Sequence, residues 1–421
     1  MKLARSKNTA ESISVKMPAP PLITLPILQH IGVPCEPVVK TGDKITIGQI
    51  VGDTSAFIST PIHATASGTV KAVFPDVIHI ENDGKDTLHS KIKKPEIKNL
   101  NDFLKAVRQS GVVGLGGAGF PTHVKLTLKE GVKVDTLIIN GAECEPYITA
   151  DYREVIENYS NILAGIELVM KWLEIGDCLI GVENDKPQAI TILRNEIAAR
   201  DINRVGVAEL PAQYPYGAEK ILVKAVTGKT IPLGGLPCDV GAIVLNISTV
   251  SSLAHYFDTG MPLVQKRITV AGGAVAKPQN VLVPIGTPIK AVLDFCGGYA
   301  KEPEKIILGG PMMGIAQQNY EAPITKQNNA ILCLTAEETY STQDQPCIRC
   351  GRCSQVCPMN LTPTHIERYA DKGNPVQLEK LGVSACLECG CCAFTCPARR
   401  PLVQSMRKGK QIQKEAAGKN A

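Results

Sequence analysis

The sequence predicts a multidomain α/β protein, on three observations. Strand-like and helix-like segments alternate between Val134 and Ile247, short glycine-punctuated β-rich runs fill residues 31 to 100, and nine of the 15 cysteines fall between Cys347 and Cys396. At roughly 150 residues per domain, a chain of 421 residues has room for about three domains with separate cores. With 44% hydrophobic and 20% charged residues it has the balance of an ordinary globular chain, neither collagenous nor disordered. Its apolar runs are too short to cross a bilayer. The basic start Met1-Lys2-Leu3-Ala4-Arg5-Ser6-Lys7 is not followed by the apolar stretch of a secretory signal, so the chain is expected in the cytoplasm.

The formal net charge of +5 is spread along the chain, and one Trp, 10 Tyr and 7 Phe leave little material for stacking on bases; no nucleic-acid partner is expected. Arg407 to Lys419 holds five basic residues and one Glu, which reads as a solvated tail unless it meets a partner or a membrane surface.

Taken in order, the run from Ile31 to about Leu100 has turns at Gly42-Asp43, Gly48, Gly52-Asp53 and Gly68-Thr69-Val70. His63 within it is expected as a packed, hydrogen-bonded imidazole. Asn101 to Gln109 reads as a helix. Gly114-Leu115-Gly116-Gly117-Ala118-Gly119-Phe120-Pro121-Thr122 then contains a formal G-x-G-x-x-G, but a helix precedes it where an ordinary Rossmann site needs a strand. A glycine loop opening a helix from Thr122 to Lys129 still supplies bare N–H groups for phosphate, with Lys125 one turn in. A plain glycine-rich turn is the alternative. The strand Val134 to Asn140 ends in Asn140-Gly141-Ala142-Glu143-Cys144-Glu145-Pro146, two carboxylates and an amide at the edge where open α/β sheets bind ligands. Surface solvation is the plain reading of the two Glu.

An amphipathic helix follows (Ile156, Tyr159, Leu163, Ile166, Met170, Leu173), then a strand at Cys178 to Val182, a helix from Pro187, a strand near Val205, a helix from Gly217 and a strand at Ala242 to Ile247. This alternation implies a mainly parallel sheet covered by helices. Residues 262 to 330 read as β-rich, with Arg267 to Ala271, Gly272-Gly273 and Val281 to Pro288, then a short helix and another strand, Lys305 to Leu308; Gly309 to Gly314 reads as a packed loop, with approach to a cofactor as the alternative.

Asp344-Gln345-Pro346 leads into Cys347-x-x-Cys350-x-x-Cys353-x-x-x-Cys357-Pro358, and every cysteine of that run recurs 39 positions later in Cys386-x-x-Cys389-x-x-Cys392-x-x-x-Cys396-Pro397. This is the bacterial ferredoxin spacing, in which three close thiolates wrap one [4Fe-4S] cube and the distal Cys of each run ligates the other cube. It assigns Cys347, Cys350, Cys353 and Cys396 to one cluster and Cys386, Cys389, Cys392 and Cys357 to the second. Zinc sites use separated Cys-x-x-Cys pairs and need no third cysteine at the same interval. Gly351 and Gly390 suit tight turns, and Cys391 is expected as a small packed residue. A two-electron donor such as NADH needs a flavin to feed single electrons into such a pair.

The segment Gly116 to Thr122 with Lys125, followed by Asn140 to Pro146, resembles the FMN and NADH site of the flavoprotein subunit of respiratory complex I and related hydrogenase subunits. Together with a β-rich N-terminal module and two cysteine runs, the chain resembles the RnfC family of the Rnf ion-translocating oxidoreductase complexes from about residue 20 to 405. The resemblance implies six segments: an N-terminal extension 1–30, a barrel-sandwich hybrid 31–100, an FMN/NADH-binding α/β domain 101–260, a β-grasp domain of the soluble-ligand-binding type 261–334, an α-helical ferredoxin-like domain with two [4Fe-4S] clusters 335–405, and the tail 406–421. The hybrid resembles lipoyl and biotinyl carriers, yet no lysine lies between Lys44 and Lys71 to carry a swinging arm.

By the same resemblance Gly114, Gly116, Gly117, Gly119 and Lys125 hold FMN, Asn140 and Glu143 contact the flavin, and Phe120 and Glu145 line the nicotinamide pocket. Gly217-Ala218-Glu219 and Asn246 complete the site. Leu115, Ala142 and Ala218 depart from the complex I pattern, which has Arg, Asp and Glu there. The implied function is that of a peripheral subunit on the cytoplasmic face of the membrane, passing electrons between NAD(H), FMN and two clusters, with membrane-embedded and iron–sulfur subunits as partners. A cobalamin reductase of the diol-utilisation type has the same motifs and stays open at this point, as does a non-catalytic electron conduit or docking subunit.

Overall fold

The computed structural model describes residues 1–4, 6–339 and 345–419; Arg5, Asp344 and the tail beyond 419 lie outside them. The first lobe is a β-sandwich. Strands Leu22–Pro26, Val77–Asn82, Gly68–Val73 and Lys44–Ile45 form one sheet in that order, and Glu36–Pro37, Ile50–Asp53 and Ile62–His63 form another. Alternation along Leu22–Pro26 turns Ile23 and Leu25 inward, where they pair across the ladder with Ile80 and Ile78. The lobe therefore starts ahead of residue 31, and residues before 31 are not a mere extension. His63 is buried, but its Nδ1 has no hydrogen-bond partner among the described residues, contrary to the expected satisfied imidazole. Burial, with the nearby Lys326 ammonium, holds its pKa down to about 3.

The second lobe carries an all-parallel sheet in the order Val205–Leu210, Asp177–Glu183, Thr136–Asn140, Ala242–Asn246. Leu137, Ile138 and Ile139 are consecutive and all inaccessible, as expected for a strand with both faces covered. In chain order the strands run 3-2-1-4, so the direction of winding reverses between Thr136–Asn140 and Ala242–Asn246. A crevice opens at such a switch point, at the carboxyl ends of the strands. Helices Ala150–Leu173 and Ile247–Thr259 pack together beside it. In this lobe three boundaries differ from the sequence reading by two residues or more. The helix at Thr122 stops at Leu126, where Thr127 turns extended and its Oγ1 bonds back to His123 O (2.8 Å). The first strand begins at Thr136, and the helix expected from Gly217 begins at Glu219.

The third lobe is a six-stranded mixed sheet ordered Val15–Lys16, Gln279–Pro284, Gln265–Ala271, Ala330–Leu334, Lys305–Leu308, Ile315–Gln317, with helix Ile289–Phe295 against it. Its edge strand comes from the N-terminal arm.

The cysteine lobe is helical, and its duplication is visible in the backbone. Left-handed φ values at Arg349, Gly351 and Asn360 recur 39 residues on at Glu388, Gly390 and Arg399. The Arg349 N–H donates to Cys347 Sγ (3.4 Å) as the Glu388 N–H does to Cys386 Sγ (3.3 Å). The tail expected to be solvated is helix Leu402–Lys419, with Leu402 and Met406 buried and Gly409 against Leu378 and Val383. Arg407 and Lys410 both bond Glu388. The expected break at 406 is thus interior to a packed helix. Among the described residues no helix is long and apolar enough to cross a membrane.

Candidate functional site

Ten of the twelve residues expected around the cofactor line one cavity of about 270 Å³ at the switch point: Gly114, Gly116, Gly117, Gly119, Phe120, Lys125, Asn140, Gly217, Glu219 and Asn246. Asn140 and Asn246 are register partners at the ends of adjacent strands. Asn140 Nδ2 donates to Gly217 O (2.8 Å) and fixes that wall. Asn246 caps helix Ile247–Thr259, its Oδ1 accepting from Ser248 N (2.9 Å) and Thr249 N (3.3 Å), while its Nδ2 donates to Asp151 (2.7 Å). Lys125 and Glu219, 94 residues apart, meet at 2.7 Å on the cavity's rim.

The cavity is built to receive acceptor oxygens. The N–H groups of Gly116, Gly117, Ala118 and Gly119 have no hydrogen-bond partner among the described residues, and the Thr122 hydroxyl, which also lines the cavity, is buried without one. Gly119 and Thr122 are buried, and unpaired buried polar groups are costly, so these two mark a place for an external partner, while Gly116, Gly117 and Ala118 are exposed and leave their N–H groups open to one. A Cβ at Gly117, which lines the cavity, would meet no protein atom within 4 Å, so the protein leaves open space there. These features fit a flavin mononucleotide.

Two expected residues are elsewhere. Glu143 is buried and accepts from Asp151 N (2.7 Å) and Tyr152 N (3.4 Å), capping helix Ala150–Leu173. Burial pushes its carboxyl up, against the pull of Lys7 and Lys186. Glu145 accepts from Met312 N (3.0 Å) and Met313 N (2.9 Å), and burial raises it to about 7 despite those bonds. Neither lines the cavity, because the chain after Asn140 turns away to feed the helix. Glu143 is buried and Glu145 half-buried, and Gly309 to Gly314 is the packed loop that seats Glu145.

In the cysteine lobe, Cys357, Cys386, Cys389 and Cys392, the combination expected for the second cluster, line one small space together with Cys391. Of the other set, Cys353 and Cys396 lie near Cys392 around Leu402, while Cys347 and Cys350 are exposed. Cys391 is packed, as expected, with Cys144, Tyr214 and Cys389. Sequence reasoning missed Tyr214, whose hydroxyl donates to Cys389 O (2.7 Å), and the position of Cys144 behind Gly217, where a Cβ would stand 3.1 Å from the thiol. The cavity wall and the cysteine loop are therefore joined through two side chains. No local pattern marks Tyr214; Cys144 lay inside a motif read for its carboxylates.

Four family models match: "RnfC Barrel sandwich hybrid domain" over residues 1–89, "Nuo51 FMN-binding domain" over 107–255, "SLBB domain" over 267–316 and "4Fe-4S dicluster domain" over 339–397. The class these define is a flavin-binding domain coupled to an iron–sulfur dicluster. A chain of an NAD+-reducing [NiFe]-hydrogenase in the H2-reduced state shares the fold over 76% of this chain and 63% of its own length, with a TM-score of 0.52 at 18% identity. Curated relatives are named as the C subunits of the proton-translocating ferredoxin:NAD(+) oxidoreductase complex of Clostridium ljungdahlii (42% identity; 87% of this chain, 82% of the relative) and of the Na(+)-translocating complex of Acetobacterium woodii (40%; 97% and 94%). The C subunit of an ion-translocating oxidoreductase complex from Rhodobacter capsulatus is 40% identical over 97% of this chain and 81% of its own length. The chain belongs to the RnfC family of Rnf complex subunits.

Proposed function

We propose that the chain is the NAD(H)-interacting flavin and iron–sulfur subunit of a membrane-bound, ion-translocating ferredoxin:NAD+ oxidoreductase, held by partner subunits at the cytoplasmic face of the membrane. One observation carries this reading: a cavity edged by unpartnered backbone donors is linked to the Cys386–Cys392 loop through Cys144, which stands behind Gly217 and packs with Tyr214, and through the Tyr214 hydroxyl on Cys389 O. Gly114, Gly116, Gly117, Gly119, Lys125, Asn140, Gly217, Glu219 and Asn246 hold FMN in this reading, and Phe120 faces the nicotinamide. The flavin supplies the conversion between a hydride's two electrons and single ones.

The chain's own part is to bind and orient. The loop amides and the Thr122 hydroxyl bind oxygens, Asn140 and Asn246 fix the walls, and the Lys125–Glu219 pair gives the rim a cation and an acceptor. Hydride transfer needs no side-chain acid or base, and Glu143 and Glu145 are occupied in structural bonds. Cys347, Cys350, Cys353 and Cys396 hold one cluster, and Cys386, Cys389, Cys392 and Cys357 the other.

Anaerobic purification with cofactor analysis and EPR of dithionite-reduced protein tests this. One FMN and about eight irons per chain, with interacting reduced clusters, is the expected result. Colourless protein, or protein loaded with tetrahedral zinc, would refute it.

A further inference from the structure

Behind the glycine loop, on the side away from the cavity, lies a buried lysine. Lys266, on strand Gln265–Ala271 of the third lobe, is 6% exposed, and its Nζ donates to Leu115 O (2.6 Å) and Lys326 O (2.8 Å). Both partners are main-chain carbonyls. Lys266 and Leu115 border a second cavity, shared with Glu154, Ser251 and His255, which is separate from the one that Gly114 and Gly116 line.

In a trans peptide the carbonyl and the next N–H point in opposite directions. Lys266 draws the Leu115 oxygen backward, so the Gly116 N–H is turned to the front, where it has no partner among the described residues. The preceding peptide is fixed as well, since Leu115 N donates to Thr249 Oγ1 (3.0 Å) and Thr249 lines the front cavity. Without a donor behind it, the 115–116 peptide loses what holds its carbonyl away from the ligand side, and a flip would present an oxygen to the ligand where an N–H now stands.

We propose that Lys266 is a positioning residue of the flavin site: by pinning the Leu115 carbonyl behind the loop it aims the Gly116 N–H at an acceptor oxygen of bound FMN. This rests on the flavin reading above. It also gives the β-grasp lobe a part in the site, because a side chain of that lobe sets the orientation of a donor in the neighbouring one. Lys326 is the internal control. It too is fully buried, yet its Nζ bonds Pro61 O (2.6 Å) and Gly111 O (2.8 Å), neither of which lines the front cavity.

The test is FMN titration of the full-length chain after flavin removal, with Lys266→Met, Lys266→Gln and Lys326→Met, each checked for folding by circular dichroism. Lys266→Met is expected to weaken FMN binding roughly tenfold, equivalent to about 1.4 kcal/mol. Lys266→Gln, which keeps an N–H donor, recovers part of the loss, and Lys326→Met stays within about twofold of wild type. Parallel titration with riboflavin reports whether the oxygen met belongs to the phosphate or to the ring and ribityl portion. A folded Lys266→Met that binds FMN like wild type overturns the proposal, as does an equal loss in both methionine variants. If the variants do not fold, amide exchange in the wild type decides: the Gly116 N–H must exchange more slowly when FMN is added, and no protection overturns the proposal. Wild type that fails to bind FMN in the same titration would instead sink the flavin reading itself, and this inference with it.

Discussion

Replacing Gly117 with alanine separates ligand binding from folding more cleanly than any other change at the site. An added Cβ there meets no protein atom within 4 Å, and the residue is not in the left-handed region, so the folded chain accommodates the methyl without strain. Loss of glycine's freedom in the unfolded chain stabilises by about 0.4–1 kcal/mol. With the ligand seated over the loop, the methyl competes with it for this open space, so FMN binding should weaken roughly tenfold or more, at least about 1.4 kcal/mol. One residue earlier the balance reverses. A Cβ at Gly116 would lie 2.5 Å from Asn246 Nδ2 and 2.8 Å from its Cγ. Displacing Asn246 removes the cap of helix Ile247–Thr259, worth about 1 kcal/mol. Thermal melts of flavin-free protein and fluorescence titration with FMN read the two effects separately. Gly117→Ala should melt at or slightly above wild type while binding poorly, and Gly116→Ala should lose on both counts. Wild-type affinity in Gly117→Ala would refute the seating of the ligand over the loop, and a clearly lowered melt would refute the steric reasoning.

Serine at Cys350 should halve the iron content and leave NADH-dependent flavin bleaching intact; loss of both together contradicts the separation of roles. Tyr214→Phe strands the Cys389 carbonyl at a local cost of about 1–3 kcal/mol. Faster amide exchange over residues 386–392 and faster iron release to a chelator are expected, and unchanged rates would show the hydroxyl to be idle. His63 is neutral in the fold, with a pKa near 3 against 6.5 unperturbed. The unfolded chain binds the extra proton between those values, so this contribution is complete above pH 6.5 and is lost as pH falls toward 3, by ~3 kcal/mol at pH 4.5. Denaturant unfolding of His63→Leu should show a smaller difference between pH 7.5 and 4.5 than wild type, and an equal difference would exonerate the imidazole. Deleting the chain from Arg407 onward strips Glu388 of both its cations, so the second cluster should become labile to chelation while the first lobe melts unchanged; a chelation-resistant second cluster would show those cations to be dispensable.

The sequence was most legible where a signal is local. Glycine spacing, cysteine spacing and the strand–helix alternation each lie within a few residues; the family resemblance they carry implied ten residues that line the cavity, and the cysteine spacing implied a grouping whose Cys357, Cys386, Cys389 and Cys392 line one space. It misled where one residue type has two uses. A glutamate just past a strand end looks the same whether it meets a ligand or caps a helix, and for Glu143 the choice is made by the Asp151 N–H, Lys7 and Lys186. The strand Val15–Lys16 is too short to show a period, and only its pairing with Val281 and Leu282 defines it. In the C-terminal helix the buried Leu402, Val403 and Met406 were outweighed by the count of basic residues beside them. Tyr214 and Lys266 had no signal at all, since each acts on main-chain carbonyls distant in sequence.

The N-terminal arm bears on how the molecule is made. Lys7 Nζ donates to Glu143 O (2.9 Å), Glu145 O (3.0 Å) and Ile148 O, the Thr9 hydroxyl meets Thr149 at 2.6 Å, Thr9 O accepts from Asn280, and Val15 waits for Val281. This arm thus has part of its seat at Glu143 to Thr149 and the rest on strand Gln279–Pro284, far later in the chain, so its place is complete only when that strand has been made. Such long-range closure is slow, but once drawn tight it laces three lobes together and denies the flavin and β-grasp regions the freedom to swing apart.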